Sequence, residues 1–504
     1  KRGIIFDRNL KKLAVNVDSK SLFAMPYKID NTNEVAHYLE GQLELNYQDV
    51  QEKLEKEKSF VWIKRKLPQK EYQNICNTSI EGLDFLTENK RYYPKDFLAA
   101  NILGFVGIDN QGLEGLELFY DDYLKSISGL VVSERDASGA KIPLSIEKIQ
   151  PSKDGLSIVL TIDEVIQYIT EESLNKSFEK YDPKSAVAVV VNPKTGAILG
   201  MASKPTYDVN CYQGYPKESW KNKAITDNFE PGSTFKIFTI ATALENKVAH
   251  LDDQFYCKGW TNYQGTVFHD IHKHGYQDLT DIVKNSCNVG VIEVGARLDE
   301  NVFENSIRQF GFGQKTGVDL PGESPGFFRQ VNDWSKISIA SLSIGQEISV
   351  TPLQLIMAVS AIANGGKLMK PYILKKVIDS EYNIINQFRP QDVHRVISDK
   401  TASTMIQILQ EVVNDGTGKR AKLKDYSACG KTGTAQKFDF SLGKYSNEKF
   451  TSWFVGFAPA MDAEIAILVM LDEPKGSYYG GTVAAPVFQE IAEKVLPYLS
   501  IPPG

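Results

Sequence analysis

The sequence has no unbroken apolar stretch of the roughly 18 residues that a helix needs to cross a bilayer, so no membrane span is read from it. Its longest candidate, Ala463 to Leu471, contains Glu464 and has the length of a strand. Cysteine is scarce. Cys76, Cys211, Cys257, Cys287 and Cys429 are odd in number, widely spaced and never form a Cys-x-x-Cys pair, which points to neither a disulfide framework nor a zinc site. They read as small, partly buried hydrophobes. Histidine adds little: His269-x-x-His272-x-His274 lacks the spacing of a zincin helix, lies beside Lys273 and Gly275 as a loop would, and has no Cys or carboxylate partner at a convincing distance in sequence. No metal and no cofactor are expected. Basic residues are not in excess either. A net charge of -6 leaves no patch for nucleic acid, and the Lys-rich stretch from Lys53 to Lys70 alternates with Glu and apolar residues, as a solvated face does.

What is present is the composition of a folded protein, with 42% apolar and 24% charged residues, which excludes collagenous, disordered and coiled-coil classes. At 504 residues the chain exceeds one compact core, so two or three domains are expected. Residues 1–155 alternate short strands and helices. Gly3 to Val17 reads as a hairpin, Asn33 to Leu45 and Tyr47 to Glu57 as amphipathic helices, and Ser133 to Ile149 as a turn-rich strand region. Nothing there clusters nucleophile, base and donor groups, so this part reads as a structural or docking module. Residues 156–182 read as a linking strand and helix, with Asp163 as the N-cap.

Residues 183–504 open with a buried hairpin, Ala186 to Val191 and Ala197 to Ala202, around a turn at Asn192-Pro-Lys-Thr-Gly196. Helical segments follow, among them Ser233 to Glu245, Leu279 to Ser286, Asn288 to Leu298, Thr351 to Ala363 and Thr401 to Asn414. Strands return at Tyr426 to Gln436, Phe450 to Ala458 and Glu464 to Asp472, and a helix from Pro486 to Leu496 closes the chain. The expected class is α/β: an α+β domain, then an antiparallel sheet sandwiched by helices and split between distant parts of the sequence, with an all-helical subdomain.

Three short patterns carry the chemistry, and each has decoys. Ser-x-x-Lys begins at Ser233 but also at Ser138, Ser145, Ser173, Ser177, Ser441 and Ser446. Only Ser233 follows Glu230-Pro-Gly232 and opens a helix that is apolar nearly all round, which places its hydroxyl beside unpaired N–H groups. Lys236 at i+3 shares its helical face and can serve as the base a hydroxyl nucleophile needs. An N-cap Ser with a snorkelling Lys would look the same on this segment alone. Ser-x-Asn occurs at Ser173, on a polar helix where it fits an exposed face, and at Ser286-Cys287-Asn288, between apolar helical stretches where two polar residues need partners. Lys-Thr-Gly occurs at Lys194 and Lys315, both in turns or loops, and at Lys431, where Lys431-Thr432-Gly433-Thr434 continues a strand. The missing Gly433 side chain lets another chain approach that strand, and its ammonium and hydroxyls can hold a carboxylate.

The ordered set Ser-x-x-Lys, Ser-x-Asn, Lys-Thr-Gly resembles the signature of penicillin-binding proteins and serine β-lactamases. Glu230-Pro-Gly-Ser-Thr-Phe-Lys236, Pro205-Thr-Tyr-Asp-Val-Asn210, Gly345-Gln-Glu-Ile-Ser-Val-Thr-Pro-Leu-Gln354 and Lys431-Thr-Gly-Thr-Ala-Gln436 look like class B penicillin-binding proteins. Arg2-Gly-Ile-Ile-Phe-Asp-Arg-Asn9 and Gly112-Leu-Glu-Gly115 are similar to that family's N-terminal pedestal motifs. Leu10 departs from them, standing where many relatives have Gly. No segment resembles a glycosyltransferase domain, as class A would require. Tyr478-Tyr-Gly-Gly481 followed by Ala484-Ala-Pro-Val-Phe488 looks more like the division-specific branch (FtsI, penicillin-binding protein 3) than its elongation counterpart.

The resemblance implies peptidoglycan D,D-transpeptidation. Ser233 would attack the penultimate D-Ala carbonyl of a stem peptide with Lys236 as base. The N–H groups of Ser233 and Thr434 would form the oxyanion hole, and Ser286 and Lys431 would pass a proton to the departing D-Ala. Thr432, Gly433 and Thr434 would hold the terminal carboxylate with Lys431, Asn288 the peptide amide, and Tyr478 and Tyr479 would line the substrate site. β-Lactams would acylate Ser233. Implied partners are a polysaccharide-polymerising membrane glycosyltransferase of the SEDS type and other division proteins. Implied too is an N-terminal membrane anchor ahead of Lys1, holding the catalytic domain outside the cytoplasmic membrane. Elongation-specific transpeptidation is the nearer alternative, with a β-lactam sensor or a β-lactamase further off.

Overall fold

The structure is a computed structural model, and it describes residues 1–132, 148–439 and 443–503. The strand region expected over Ser133 to Ile149 lies mostly outside the described residues, as do the decoy serines Ser138, Ser145 and Ser441. Among the described residues no helix is long and apolar enough to cross a membrane.

The reason Ala186 to Val191 is apolar at every position is that its strand is covered on both faces. Ser185–Val191 lies second from one end of a five-stranded antiparallel sheet, ordered Cys429–Asp439, Lys444–Ala458, Ile465–Asp472, Ser185–Val191, Ile198–Lys204. Side chains on a strand alternate between faces. Ala186, Ala188 and Val190 accordingly pack with the helices Glu164–Tyr181 and Ala485–Tyr498 through Ile166, Leu174, Phe488 and Ile491. Val187, Val189 and Val191 join a second core with Leu355 and Val359 of the helix Pro352–Ala363 and Ile237 of the helix Lys236–Glu245. The Pro352–Ala363 helix begins at a reciprocal cap between Thr351 and Gln354. The strand Cys429–Asp439, which carries Lys431 to Thr434, forms the open edge of the sheet.

Helix Glu164–Tyr181 starts where the sequence indicates, with the Asp163 carboxylate accepting the N–H groups of Val165 and Ile166. One expectation on this helix is corrected. Ser173 is not on an exposed face but 1% accessible, because its side of the helix packs on the sheet and the last helix.

The N-terminal part has its own core, with helices Thr32–Leu43 and Tyr47–Leu54 packed on strand Val61–Lys64 through Leu39, Leu43, Val50 and Ile63. Arg2 of the first pedestal motif and Arg91 each donate to the buried carboxylate of Glu117, two residues beyond Gly115, at 2.6 Å, and Arg2 also donates to Asp121 at 2.6 Å, so the buried charges are paired. The strand Ser157–Leu160 pairs in parallel with Ile5–Phe6 and antiparallel with Leu374–Ile378. Segments distant in sequence thus tie the two halves into one sheet. Leu10 ends the first turn with φ +63°, the left-handed region where glycine is favoured.

Candidate active site

Ser233 lies on a single 3-10 turn, Gly232–Thr234, that leads into the helix Lys236–Glu245. The turn is held from several sides. The Gly232 N–H donates to the Gly345 carbonyl at 3.2 Å, the Trp453 indole N–H to the Glu230 carbonyl at 3.2 Å, and the Thr234 hydroxyl to the Pro231 carbonyl at 2.7 Å. Residues around Ser233 are buried while Ser233 itself is partly accessible, on the wall of a cleft of about 780 Å³. Burial of everything but the reactive side chain is what a covalent nucleophile requires.

Lys236 has no accessible surface. Its Nζ donates to the Ser286 carbonyl, to Ser286 Oγ at 3.3 Å and to Asn288 Oδ1 at 2.7 Å. Burial lowers its pKa to about 8, with the Asp270 carboxylate opposing. Lys431 is equally buried, and its Nζ donates to Ser286 Oγ at 2.9 Å and to the Thr432 carbonyl at 3.1 Å. Desolvation holds its ammonium well below the ordinary lysine range, and the nearby Lys236 charge pushes the same way. One hydroxyl therefore sits between two lysine amines that are both easier to deprotonate than a lysine in water.

Ser286 reaches that place through an unusual backbone. It joins the helices Leu279–Lys284 and Asn288–Gly295 with φ +60°, a conformation that costs a residue with a Cβ on the order of 1 kcal/mol. Asn288 is oriented on both sides, its amide N–H donating to the His269 carbonyl at 2.9 Å while its oxygen accepts from Lys236.

Gly433 has a different use from the one its sequence suggests. A Cβ there would stand 2.8 Å from Thr234 Cγ2, 3.0 Å from the Pro231 carbonyl oxygen and 3.1 Å from Trp453 Cβ. The chain that approaches this strand is the protein's own nucleophile turn. Thr432 and Thr434 line the cleft. The Thr432 hydroxyl lies 2.9 Å from that of Thr417, and Thr434 Oγ1 accepts the Gly480 N–H at 3.1 Å. Tyr478 and Tyr479 stand at the mouth, Tyr478 stacked on Phe450 with ring centres 4.1 Å apart.

The structure thus gathers Ser233, Lys236, Ser286, Asn288, Lys431, Thr432 and Thr434 around one cleft, with the two tyrosines at its rim. Sequence reading gave no role to Asp270, Thr417 or Phe450, which none of the quoted motifs contains, and used Glu230 only to mark the turn before Ser233. Glu230 is the most telling of these. Its carboxylate accepts from the Tyr445 hydroxyl at 3.0 Å and the Glu347 N–H at 3.2 Å, and burial pushes its pKa up to about 7 against those two donors. The decoy Lys194 caps a hairpin, and Lys315 lies in a loop where Glu323 accepts the N–H of Thr316 at 2.6 Å.

Chemically, the arrangement pairs a half-exposed hydroxyl with a buried amine base, a second amine-hydroxyl relay and a strand edge able to receive an extended peptide. Residues 186–493 match the family description "Penicillin binding protein transpeptidase domain", and residues 1–160 match "Penicillin-binding Protein dimerisation domain". Stage V sporulation protein D of Bacillus subtilis is 39% identical over 511 residues, an alignment spanning 100% of this chain and 79% of that protein. The probable peptidoglycan D,D-transpeptidase PbpC of Pseudomonas aeruginosa is 32% identical, spanning 100% and 87%. Among solved structures, penicillin-binding protein 3 of Mycobacterium tuberculosis complexed with aztreonam superposes with a TM-score of 0.78 at 28% identity, covering 100% of this chain and 97% of that one.

Proposed function

This chain belongs to the class B penicillin-binding proteins and is a serine-type peptidoglycan D,D-transpeptidase; from that premise we propose that Ser233 is its nucleophile and that the cross-links it makes build the division septum. The observation that carries the first half is the buried network in which Lys431 and Lys236, the latter one helical turn after Ser233, both donate to Ser286 Oγ.

In this reading Lys236, as the neutral amine, takes the Ser233 proton while Oγ bonds to the penultimate D-Ala carbonyl carbon. The negative oxygen that forms is held by the N–H groups of Ser233 and Thr434, each such donor lowering the barrier by roughly 3 to 4 kcal/mol in comparable sites. As the tetrahedral intermediate collapses, the C–N bond to the last D-Ala breaks. The leaving amine receives a proton through Ser286, resupplied by Lys431. The side-chain amine of a neighbouring stem then attacks the acyl-enzyme carbon and gives a proton back through Ser286 to Lys431, the ester C–O bond breaks as Lys236 returns its proton to Ser233 Oγ, and the cross-link closes. Thr432, Thr434 and Lys431 suit the substrate carboxylate, the first two from the strand edge that Gly433 allows to lie against the nucleophile turn. Asn288 positions Lys236 through its oxygen and can meet the peptide amide with its remaining N–H. A β-lactam mimics the same strand and leaves Ser233 acylated.

The septal role is supported by the Tyr478 to Phe488 tail and by a relative from Mesostigma viride named as a peptidoglycan D,D-transpeptidase FtsI homolog. An extracytoplasmic catalytic domain, a membrane anchor preceding Lys1 and a SEDS-type glycosyltransferase partner complete the proposal. Service in spore formation is a second reading, favoured by the 39% match to stage V sporulation protein D.

Fluorescent penicillin tests the site: wild-type protein becomes covalently labelled and Ser233→Ala does not, whereas labelling of the Ala variant at the wild-type level overturns the assignment. Depletion in the host tests the role. Filaments support septal work, round cells assign the protein to elongation, and a defect confined to spores assigns it to the second reading.

A further inference from the structure

At the wall of the cleft, four side chains from four separate elements come together, none of them used directly in the acyl-transfer steps. Cys257 ends the strand Phe255–Cys257, Asp270 follows the hairpin strand Thr266–His269, His274 precedes the strand Gly275–Gln277, and Cys287 is the N-cap of the helix Asn288–Gly295. The ligand atoms of Cys257, Asp270 and Cys287 lie within 4.8 Å of one another. Cys257 Sγ is 3.7 Å from Asp270 Oδ2, and His274 Nε2 is 3.6 Å from Asp270 Oδ1. The two sulfurs are buried, and the Asp270 and His274 side chains are only 2% and 15% accessible.

Backbone donors point at this cluster as they do around anionic ligands. The Gly259 N–H donates to Cys257 Sγ at 3.4 Å and the Gly290 N–H to Cys287 Sγ at 3.2 Å. The carboxylate of Asp270 accepts from Ile271 N–H at 2.8 Å and from Asn288 N–H at 2.8 Å. Such contacts orient metal ligands and favour their charged forms. Two sulfurs and one carboxylate oxygen gathered within 4.8 Å, with the His274 imidazole 3.6 Å from that carboxylate and available as a fourth donor, are the donor types of a closed tetrahedral zinc site. The segment they would hold together needs a staple. Its two hairpins have strands of three and four residues, and Tyr256, Trp260, Ile271 and Tyr276 on it are all exposed, so it has little apolar core of its own.

We propose that Cys257, Asp270, His274 and Cys287 bind one zinc ion, which clips the residue 255–277 flap to the Ser286-Cys287-Asn288 link. The ion would sit outside the reacting atoms. Its ligands are positioning residues: Asp270 fixes the Asn288 backbone, and Asn288 in turn fixes Lys236. A disulfide between Cys257 and Cys287 would leave the His274 imidazole beside Asp270 without a function, which is why the metal is favoured. This inference does not rest on the transpeptidase assignment, since its readout is metal content.

The full chain is purified under reducing conditions, incubated with zinc chloride and desalted, and its metal is counted by mass spectrometry. About one zinc per chain is expected for wild type and for Cys76→Ser, and a loss of tenfold or more for Cys257→Ser and Asp270→Asn. Because those variants could unfold, wild type is also tested alone: zinc should protect Cys257 and Cys287 from alkylation in the folded protein, and a chelator should remove that protection. Replacing zinc by cobalt should give a thiolate-to-cobalt absorption band in wild type. The proposal is overturned if reduced wild type retains no stoichiometric zinc, if Cys257→Ser retains it all, or if the two cysteines alkylate equally with and without zinc.

Discussion

Lys431 Nζ and Lys236 Nζ both donate to Ser286 Oγ, at 2.9 Å and 3.3 Å. Two buried ammonium groups sharing one acceptor repel each other, so one member of the pair readily gives up its proton. A base and a proton relay can then coexist within one hydrogen-bonded cluster at near-neutral pH.

This sets a pH dependence. Lys236 has a pKa lowered to about 8 by burial, and only its neutral form can accept the Ser233 proton. The second-order rate of acylation by a fluorescent penicillin should rise about tenfold per pH unit below that value and level off above it. Lys236→Arg keeps the charge but cannot deprotonate, and should lower the rate by about 10² to 10⁴. A rate flat from about pH 6 to about pH 9 would remove Lys236 from the role of base.

The Ser286 backbone separates function from stability. With φ +60° it stands where glycine is easier to accommodate. Ser286→Ala and Ser286→Gly both delete the hydroxyl and should both slow acylation strongly. Thermal melting should nevertheless find the Gly variant more stable than the Ala variant by about 1 kcal/mol. Equal stabilities would mean that the turn carries no strain.

Gly433 offers a steric test. An added Cβ would meet Thr234 Cγ2 at 2.8 Å and the Pro231 carbonyl oxygen at 3.0 Å, so strand and nucleophile turn must separate. Gly433→Ala should cut acylation by about 10², the effect of misplacing a reacting group by roughly 1 Å. The destabilisation should stay within about 1 to 3 kcal/mol. Unchanged acylation kinetics would show that the contact does not register the nucleophile.

Leu10 provides a control remote from the cleft. Its φ of +63° makes Leu10→Gly a relief of strain in an exposed turn, and a gain of about 1 kcal/mol is expected in thermal melting with acylation unaltered. A loss of stability would mean that the Leu10 side chain contributes contacts exceeding that strain.

Much of this protein is legible without coordinates because local patterns obey local physics. Unbroken apolarity marks Ala186 to Val191 as a buried strand, and Asp163 marks the start of a helix. Glu230-Pro-Gly232 and the apolar helix after it single out Ser233 from six other Ser-x-x-Lys patterns. Other features depend on packing between segments far apart in the chain. Ser173 lies on a helix polar enough to read as exposed, and only packing against the sheet and the last helix buries it. Gly433 reads as an opening for a substrate until the nucleophile turn is found filling that space. The cluster at positions 257, 270, 274 and 287 contains no spacing that a motif would catch, because its members come from four elements brought together by the flap. Sequence by itself determined which residues could do acyl-transfer chemistry and which elements would carry them. The tertiary structure decided that one hydroxyl would lie between two lysines, because burial, repulsion and hydrogen-bond geometry act through space and not along the chain.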